Sequence, residues 1–305
     1  WAAIQFPNLS PEAFAFDLFG LHFAIRWYAL GYIVGIGIGW WIIRMAISRP
    51  PLWRDENPAM TRAQLEELVT WMVAGIILGG RLGFVLFYQP GYYLQNPLDI
   101  FKIWQGGMAF HGGFLGVVVG VILFSRKHGL VTASVADLLA IATPPALALV
   151  RIANFVNGEL WGRPTDAPWG VVFPGPAAQA CATAGEVCAR HPSQLYEALL
   201  EGLLLGTLLL YLAWRRGWLK TPGALTGAFL IGYGLARSFV ELFRQPDMQF
   251  ATAENPIGHA LHFGDWGLTM GQLLSAPMIL TGLALVLYSL RRSRSPANQR
   301  PNTVA

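Results

Sequence analysis

The apolar positions of this 305-residue chain gather into long runs separated by short polar stretches. A helix needs roughly 20 mostly apolar residues to cross a bilayer. Seven stretches qualify: Phe23–Ile43, Leu68–Tyr88, Met108–Phe124, Val135–Val156, Leu195–Trp214, Gly223–Phe243 and Met270–Leu290. The expected fold is an all-α integral membrane protein, with seven transmembrane helices in a single polytopic domain, 1–305. The third stretch is short, and its Gly112, Gly113 and Gly116 predict close helix contact. Pro144 and Pro145 inside the fourth predict a kink or a break. No soluble domain of ordinary size fits between the spans. Two connections, 158–194 and 244–269, are longer than the rest.

Basic residues orient the spans, because cytoplasmic loops carry an excess of Lys and Arg. Arg44, Arg49, Arg54, Arg62, Arg126, Lys127, Arg215, Arg216, Lys220, Arg291, Arg292, Arg294 and Arg300 lie on one side, thirteen in all. Lys102, Arg163, Arg190 and Arg244, four residues, lie on the other. This bias puts the C-terminus, with a basic tail over 291–305, in the cytoplasm and the N-terminus outside. Both long connections then lie outside and form a small head.

Composition agrees with a membrane protein. Only 12% of residues are charged, about half of the roughly 25% usual in soluble domains. That excludes a disordered chain and argues against a cytosolic enzyme. The 12 Trp, 18 Phe and 9 Tyr suit aromatic belts at a bilayer interface. Two cysteines, Cys181 and Cys188, are too few for a disulfide scaffold or a cysteine-based metal site. Both fall in the segment placed outside, where a bridge and two free thiols are both open readings. No basic region followed by a small-residue cleavage site opens the chain, so no secretory signal peptide is expected.

Four basic residues, Arg26, Arg81, Arg151 and Arg237, fall inside the apolar stretches. A charge near the bilayer centre costs about 2.5–3.5 kcal/mol even on the lenient insertion scale. Two explanations stand. Each arginine pairs with an acid such as Asp137, Glu201 or Glu241, or a buried anionic ligand takes up the positive charge. Tyr233, Arg237, Glu241 and Arg244 are spaced by four, four and three, one polar stripe on a helix. This stripe reads either as a helix–helix staple or as a guanidinium aimed at phosphate, whose oxygens the planar fork binds in pairs. Arg151, Asn154, Asn157, Glu159 and Arg163 cluster where the fourth span ends, costly unless they line a wet cavity. Gly79, Gly80 and Gly83 flank Arg81 and let a backbone or a lipid come close. His111 is flanked by Gly106, Gly107, Gly112 and Gly113 at the outer rim, and reads as a packing residue or a proton carrier. Glu197 and Glu201 lie one turn apart after His191. No P-loop, dinucleotide fingerprint or metalloprotease motif is present. His259 and His262 lack further ligands, and nothing resembles a nucleic-acid-binding module.

Taken together these stretches resemble the prolipoprotein diacylglyceryl transferase family of bacteria. The resemblance rests on GGMAFHGG around His111, RIANFVNGELWGR from Arg151 to Arg163, HPSQLYE from His191 and GYGLARSFVELFRQPD from Gly232. GGRLGFVLFY from Gly79 and RWYALGYIVG from Arg26 add to it, so nearly the whole chain is covered. Departures are small: Ala29 and Ala153 stand where Gly is expected, and Arg26 where some relatives carry His.

The resemblance implies a multi-pass enzyme of the bacterial inner membrane, with the outer segments periplasmic. It would move the diacylglyceryl group of phosphatidylglycerol onto the lipobox cysteine thiol of a preprolipoprotein signal peptide, releasing glycerol phosphate. Such a reaction needs a deprotonated thiol, whose pKa in water is about 8.5, and stabilisation of the departing phosphate. His111 is the candidate base. Arg151 and Arg237 are candidates for the phosphate, with Glu241 orienting Arg237. Asn154, Tyr28 and Tyr233 would position the glycerol head, Glu159 and Gly162 would shape the mouth, and Arg81 and Arg244 would contact the lipid. No metal or other cofactor is required. The rival reading, a transporter of anions or anionic lipids, also fits buried arginines and a proline-broken helix. It lacks the internal repeats such proteins usually show.

Overall fold

The structure is a computed structural model and describes residues 3–19, 21–181, 186–246, 250, 255, 257–263 and 266–294. The tail 295–305, with Arg300, lies outside the described residues, as do parts of the expected outer segments 158–194 and 244–269. In chain order the elements are strands β1 (Ile4–Gln5), β2 (Glu12–Leu18) and β3 (Leu21–Arg26), then helices α1 (Trp27–Ile47), α2 (Arg62–Phe87), α3 (Pro90–Gln95), α4 (Phe110–Lys127) and α5 (Thr132–Val156). Strand β4 (Val171–Val172) and helix α6 (Ser193–Glu197) follow. A π-helical turn over Ala198–Leu204 joins α6 to α7 (Leu205–Trp214) without a break. Helix α8 (Ala224–Val240), strands β5 (His259–Phe263) and β6 (Trp266–Thr269), and helix α9 (Met270–Arg294) complete the chain.

Among the described residues, six helices are long and apolar enough to cross a membrane: Trp27–Ile47, Arg62–Phe87, Phe110–Lys127, Thr132–Val156, Ser193–Trp214 and Met270–Ser293. The segment expected as the sixth span holds an apolar helix of 17 residues, α8. Helix α5 runs unbroken through Pro144 and Pro145. The first span starts later than the hydrophobic run suggests. Residues 12–26 alternate large apolar with small or polar side chains, a period of two that suits a strand. They fold as an antiparallel hairpin in which Phe16 pairs with Phe23 and Phe14 with Ile25. Arg26 is therefore the last strand residue and stands outside helix α1.

The chain forms two compact units, Trp1–Ile42 with Leu139–Ala305, and Ile43–Leu138. In the second unit α2 and α4 pack antiparallel, backbone against backbone. A Cβ on Gly79 would strike the Gly112 carbonyl, and one on Gly75 or Gly116 would strike the other's carbonyl. This is the small-residue packing that lets membrane helices approach closely. Thr61 starts α2 with a capping box, taking a hydrogen bond from the Gln64 amide while the Gln64 side chain accepts from its own.

In the first unit Gly31, Gly35 and Gly39 of α1 lie against Leu149, Ala146 and Ala142 of α5, and Gly202 and Gly206 lie against Ala148 and Pro144. Gly227 packs α8 on Gly282 of α9. Outside the helices, β1 pairs in parallel with β4 over a small core of Val171, Phe173 and Ala178. Phe6 and Phe155 rest on Phe173 with ring centroids 5.4 and 5.7 Å away. Cys181 and Cys188 are disulfide-bonded.

Candidate active site

Three helix ends meet in the first unit. Arg151 lies near the end of α5, Glu197 ends α6, Glu201 sits in the π-helical turn, and Tyr233 and Arg237 lie on α8 with Glu241 just beyond it. Glu197, 1% exposed, is the hub. Its Oε1 takes Arg237 Nη1 at 2.7 Å and Arg244 Nη1 at 3.2 Å, and its Oε2 faces Arg151 Nε at 3.2 Å. Arg237 gives its other terminal nitrogen to Glu241 Oε2 at 2.8 Å. Arg151 reaches Glu201 at 3.6 Å and lies beside Tyr233. The Glu241 carboxylate rests against the backbone of Gly271 on α9. Three guanidiniums thus share three buried carboxylates.

The π-helical turn matters to this arrangement. It inserts a wider turn after Glu197 and opens the helix locally, a feature often found at functional sites. Arg237 is gripped by two short ion pairs, whereas Arg151 is held by two longer ones. Arg151 is therefore the freer fork.

Beyond α5 the chain turns sharply through two residues in the left-handed region, Gly158 at φ 66° and Leu160 at φ 58°. That turn brings Glu159 back over the helix end. Its Oε1 accepts from Asn154 Nδ2 at 2.8 Å and from Asn157 Nδ2 at 3.3 Å. Asn154 is 3% exposed, and its Oδ1 has no hydrogen-bond partner among the described residues. Gln194 holds the turn by donating to the Glu159 carbonyl at 2.6 Å.

Gly162 lies between two backbones. Its amide donates to the His191 carbonyl at 2.8 Å, and it bridges to Arg244 as an isolated antiparallel pair. A Cβ there would sit 2.7 Å from the His191 oxygen and would strike the Phe243 carbonyl. Arg163 Nε donates to the Arg244 carbonyl at 2.9 Å, so the peptide that carries Arg244 is fixed from both sides. Arg190 stacks on Trp161 at 4.1 Å and donates to Gly162 O at 3.1 Å. Burial lowers the Arg163 and Arg190 guanidiniums, and the His191 imidazole, below their ordinary values.

The structure thus brings together Arg151, Tyr233, Arg237, Glu241 and Arg244, with Asn154, Glu159 and Gly162 in the adjoining turn. Tyr28 lies on α1 of the same unit, its hydroxyl 3.3 Å from that of Tyr32. His111 and Arg81 belong to the second unit. His111 is exposed in the first turn of α4. Arg81 is buried and turns its donors to backbone carbonyls.

Sequence reasoning assigned Glu197 no role in the site, and the hydrogen bonds of Gln194 and Arg163 were not expected. The spacing of Glu197 and Glu201 was the available signal. Of the two explanations for the arginines in the apolar runs, pairing with an acid holds for Arg151 and Arg237, through Glu197, whereas Arg81 is bound by backbone carbonyls.

The helices and the buried charge cluster define a polytopic membrane protein with its polar chemistry at helix ends. The chain matches the family described as Prolipoprotein diacylglyceryl transferase over residues 14–288. It is 60% identical over 285 residues to the phosphatidylglycerol–prolipoprotein diacylglyceryl transferase of Roseobacter denitrificans, covering 93% of this chain and 97% of that protein. Identity to the protein of that name from Ruegeria pomeroyi is 61% over 286 residues, covering 94% and 97%. Identity to the one from Mesorhizobium japonicum is 47% over 282 residues, covering 92% and 91%. The chain belongs to the prolipoprotein diacylglyceryl transferase family.

Proposed function

We propose that this chain transfers the diacylglyceryl group of phosphatidylglycerol to the lipobox cysteine of a preprolipoprotein, at the periplasmic face of the bacterial inner membrane. Its family membership supports the reaction. The observation that carries the site is the buried cluster in which Glu197 holds Arg151, Arg237 and Arg244.

The reaction is a displacement at the glycerol carbon that bears the phosphate ester. The thiolate sulfur forms the new S–C bond as the C–O bond breaks, and the oxygen leaves with the bonding pair on glycerol phosphate. Charge grows on that oxygen, so preorganised donors lower the barrier. Arg151, the loosely held fork, would take the phosphate, with Arg237 and Arg244 fixed beside it and Glu241 orienting Arg237. The buried Asn154 Oδ1 is an acceptor suited to a glycerol hydroxyl, and Glu159 sets its amide. Tyr28 and Tyr233 would complete the head-group contacts. His111 would take the thiol proton. The enzyme needs no nucleophile of its own, because the substrate supplies it.

The test is a mass measurement on detergent-solubilised protein with phosphatidylglycerol and a lipobox peptide. A diacylglyceryl adduct on the peptide thiol, with glycerol phosphate released, is the expected result. Intact lipid and unmodified peptide would overturn the reading in favour of transport. We further propose seven crossings, with the N-terminus periplasmic and the C-terminus cytoplasmic, from the basic-residue bias. Reporter fusions after Arg294 should read cytoplasmic and fusions within Ala177–Glu186 periplasmic. A periplasmic C-terminal fusion would refute this topology.

A further inference from the structure

Between α2 and α4 the chain makes an arm, α3 followed by two short 3₁₀ turns at Pro97–Phe101 and Ile103–Gln105. Little apolar burial holds it. Over residues 90–105 Tyr93 alone is buried. Leu94, Leu98, Phe101 and Trp104 point outward, each at least 74% exposed. What holds the arm is Arg81, itself 5% exposed. Arg81 Nε donates to Ile100 O at 2.7 Å, Nη1 to Gly106 O at 2.6 Å and Gly107 O at 3.2 Å, and Nη2 to Asp99 O at 2.5 Å and Lys102 O at 3.4 Å. Its guanidinium also lies 5.2 Å from the Tyr93 ring centroid.

Five carbonyls from one short segment therefore converge on one cation. All three guanidinium nitrogens are engaged, so no face of the fork is left for a phosphate. Gly106 and Gly107 adopt φ of 83° and 79°, which delivers their carbonyls to Nη1. Two residues later the Ala109 amide donates to Gly80 O at 2.9 Å, next to Arg81 in sequence. His111 follows directly in the first turn of α4.

We infer that Arg81 is a positioning residue: it latches the arm 90–107 and through it sets the place of His111, rather than binding the lipid phosphate. The inference rests on the transferase reading for its link to chemistry, but the latch can be measured without turnover. Lys carries one charge on a flexible stem and cannot reach five carbonyls in a fork. Hydrogen exchange of peptides from 97–109 should therefore be about tenfold or more faster in Arg81→Lys than in wild type, in phosphatidylglycerol nanodiscs. Peptides from Ser193–Trp214 should be unchanged, which excludes general unfolding. Gly107→Ala is the second variant. Its Cβ would meet Phe84 Cε1 at 2.6 Å and Arg81 Nη1 at 2.8 Å, so it should loosen the same peptides. His111→Gln should leave their exchange at the wild-type rate.

In turnover, Arg81→Lys should lower kcat with KM for phosphatidylglycerol within about twofold, since the Arg81 fork is spent on the arm and does not touch the lipid. Unchanged exchange of 97–109 overturns the latch. A KM increase with exchange unchanged overturns it in favour of a phosphate ligand. Faster exchange with full kcat overturns the link to His111. Wild-type protein that forms no adduct sinks the transferase reading, and the exchange comparison still decides the latch.

Discussion

Glu197→Gln is the sharpest perturbation of the site. It leaves shape almost unaltered and removes one negative charge from a cluster in which three guanidiniums face three carboxylates. Glu197 Oε1 serves Arg237 and Arg244 at 2.7 and 3.2 Å while Oε2 faces Arg151 at 3.2 Å. A carboxamide has one acceptor end and one donor end. Whichever way the substituted side chain turns, its amide nitrogen meets a guanidinium, donor against donor, and the cluster carries a net positive charge. Removing one partner of a buried ion pair costs about 3–5 kcal/mol, so the variant should melt well below wild type in detergent. Its guanidiniums are also freed from their fixed places. A loss of about 2.7 kcal/mol of transition-state stabilisation is a hundredfold in rate, and kcat should fall by about that factor. KM for the anionic lipid should not rise, because the excess positive charge attracts the phosphate. The assay is adduct formation by mass spectrometry across a lipid titration, beside a thermal melt. Turnover within about threefold of wild type, or a raised KM at unchanged kcat, would refute the hub role of Glu197.

Four further substitutions separate the remaining roles. Arg237→Lys keeps charge but loses the fork, and should impair turnover about tenfold or more at every pH, whereas His111→Gln should be poor near pH 7 and recover in part by about pH 9 as thiolate forms unaided; a His111→Gln pH–rate profile parallel to wild type removes the base assignment. Gly162→Ala forces a Cβ against the His191 and Phe243 carbonyls, which belong to backbone and yield little. It should cost about 1–3 kcal/mol in stability and displace Arg244, and wild-type melting with full activity would contradict that packing. Burial depresses the His191 imidazole, whose Nδ1 lies 3.0 Å from the Tyr196 hydroxyl. Folding favours its neutral form, so the stability it contributes is full above the ordinary histidine value and is lost as pH drops through about 6.5 towards the lower folded-state value. His191→Phe should flatten that part of the stability–pH curve, and an unaltered slope would rule His191 out as its source.

Much of this protein is written locally. Apolar runs of about twenty residues must be helices in a bilayer, since each helix satisfies its own backbone polar groups. The sequence therefore placed the long helices by itself, with α2 the furthest off at its start, Arg62 rather than Leu68. Arg237 and Glu241 were legible as neighbours because a helix repeats every 3.6 residues, but α8 ends at Val240, so Arg244 lies beyond the helix, bridged to Gly162 and held at the cluster by Glu197. The first span was misplaced at its start because Phe23 and Ile25 are apolar in either conformation, and only cross-strand pairing with Phe16 and Phe14 makes residues 12–26 a hairpin.

Only the tertiary structure could decide the partners. Glu197 and Glu201 were visible as one helix face, but which arginines they meet depends on how α5, α6 and α8 pack, and that is set by contacts far apart in sequence. Arg81 shows the same limit more sharply. As a sequence letter it is a cation inside an apolar run, and a phosphate is as good a partner as any. Its actual partners are backbone carbonyls of Asp99, Ile100, Lys102, Gly106 and Gly107. Every residue carries a carbonyl, so nothing in the sequence distinguishes those five; the turns of the arm do, by pointing them at one place.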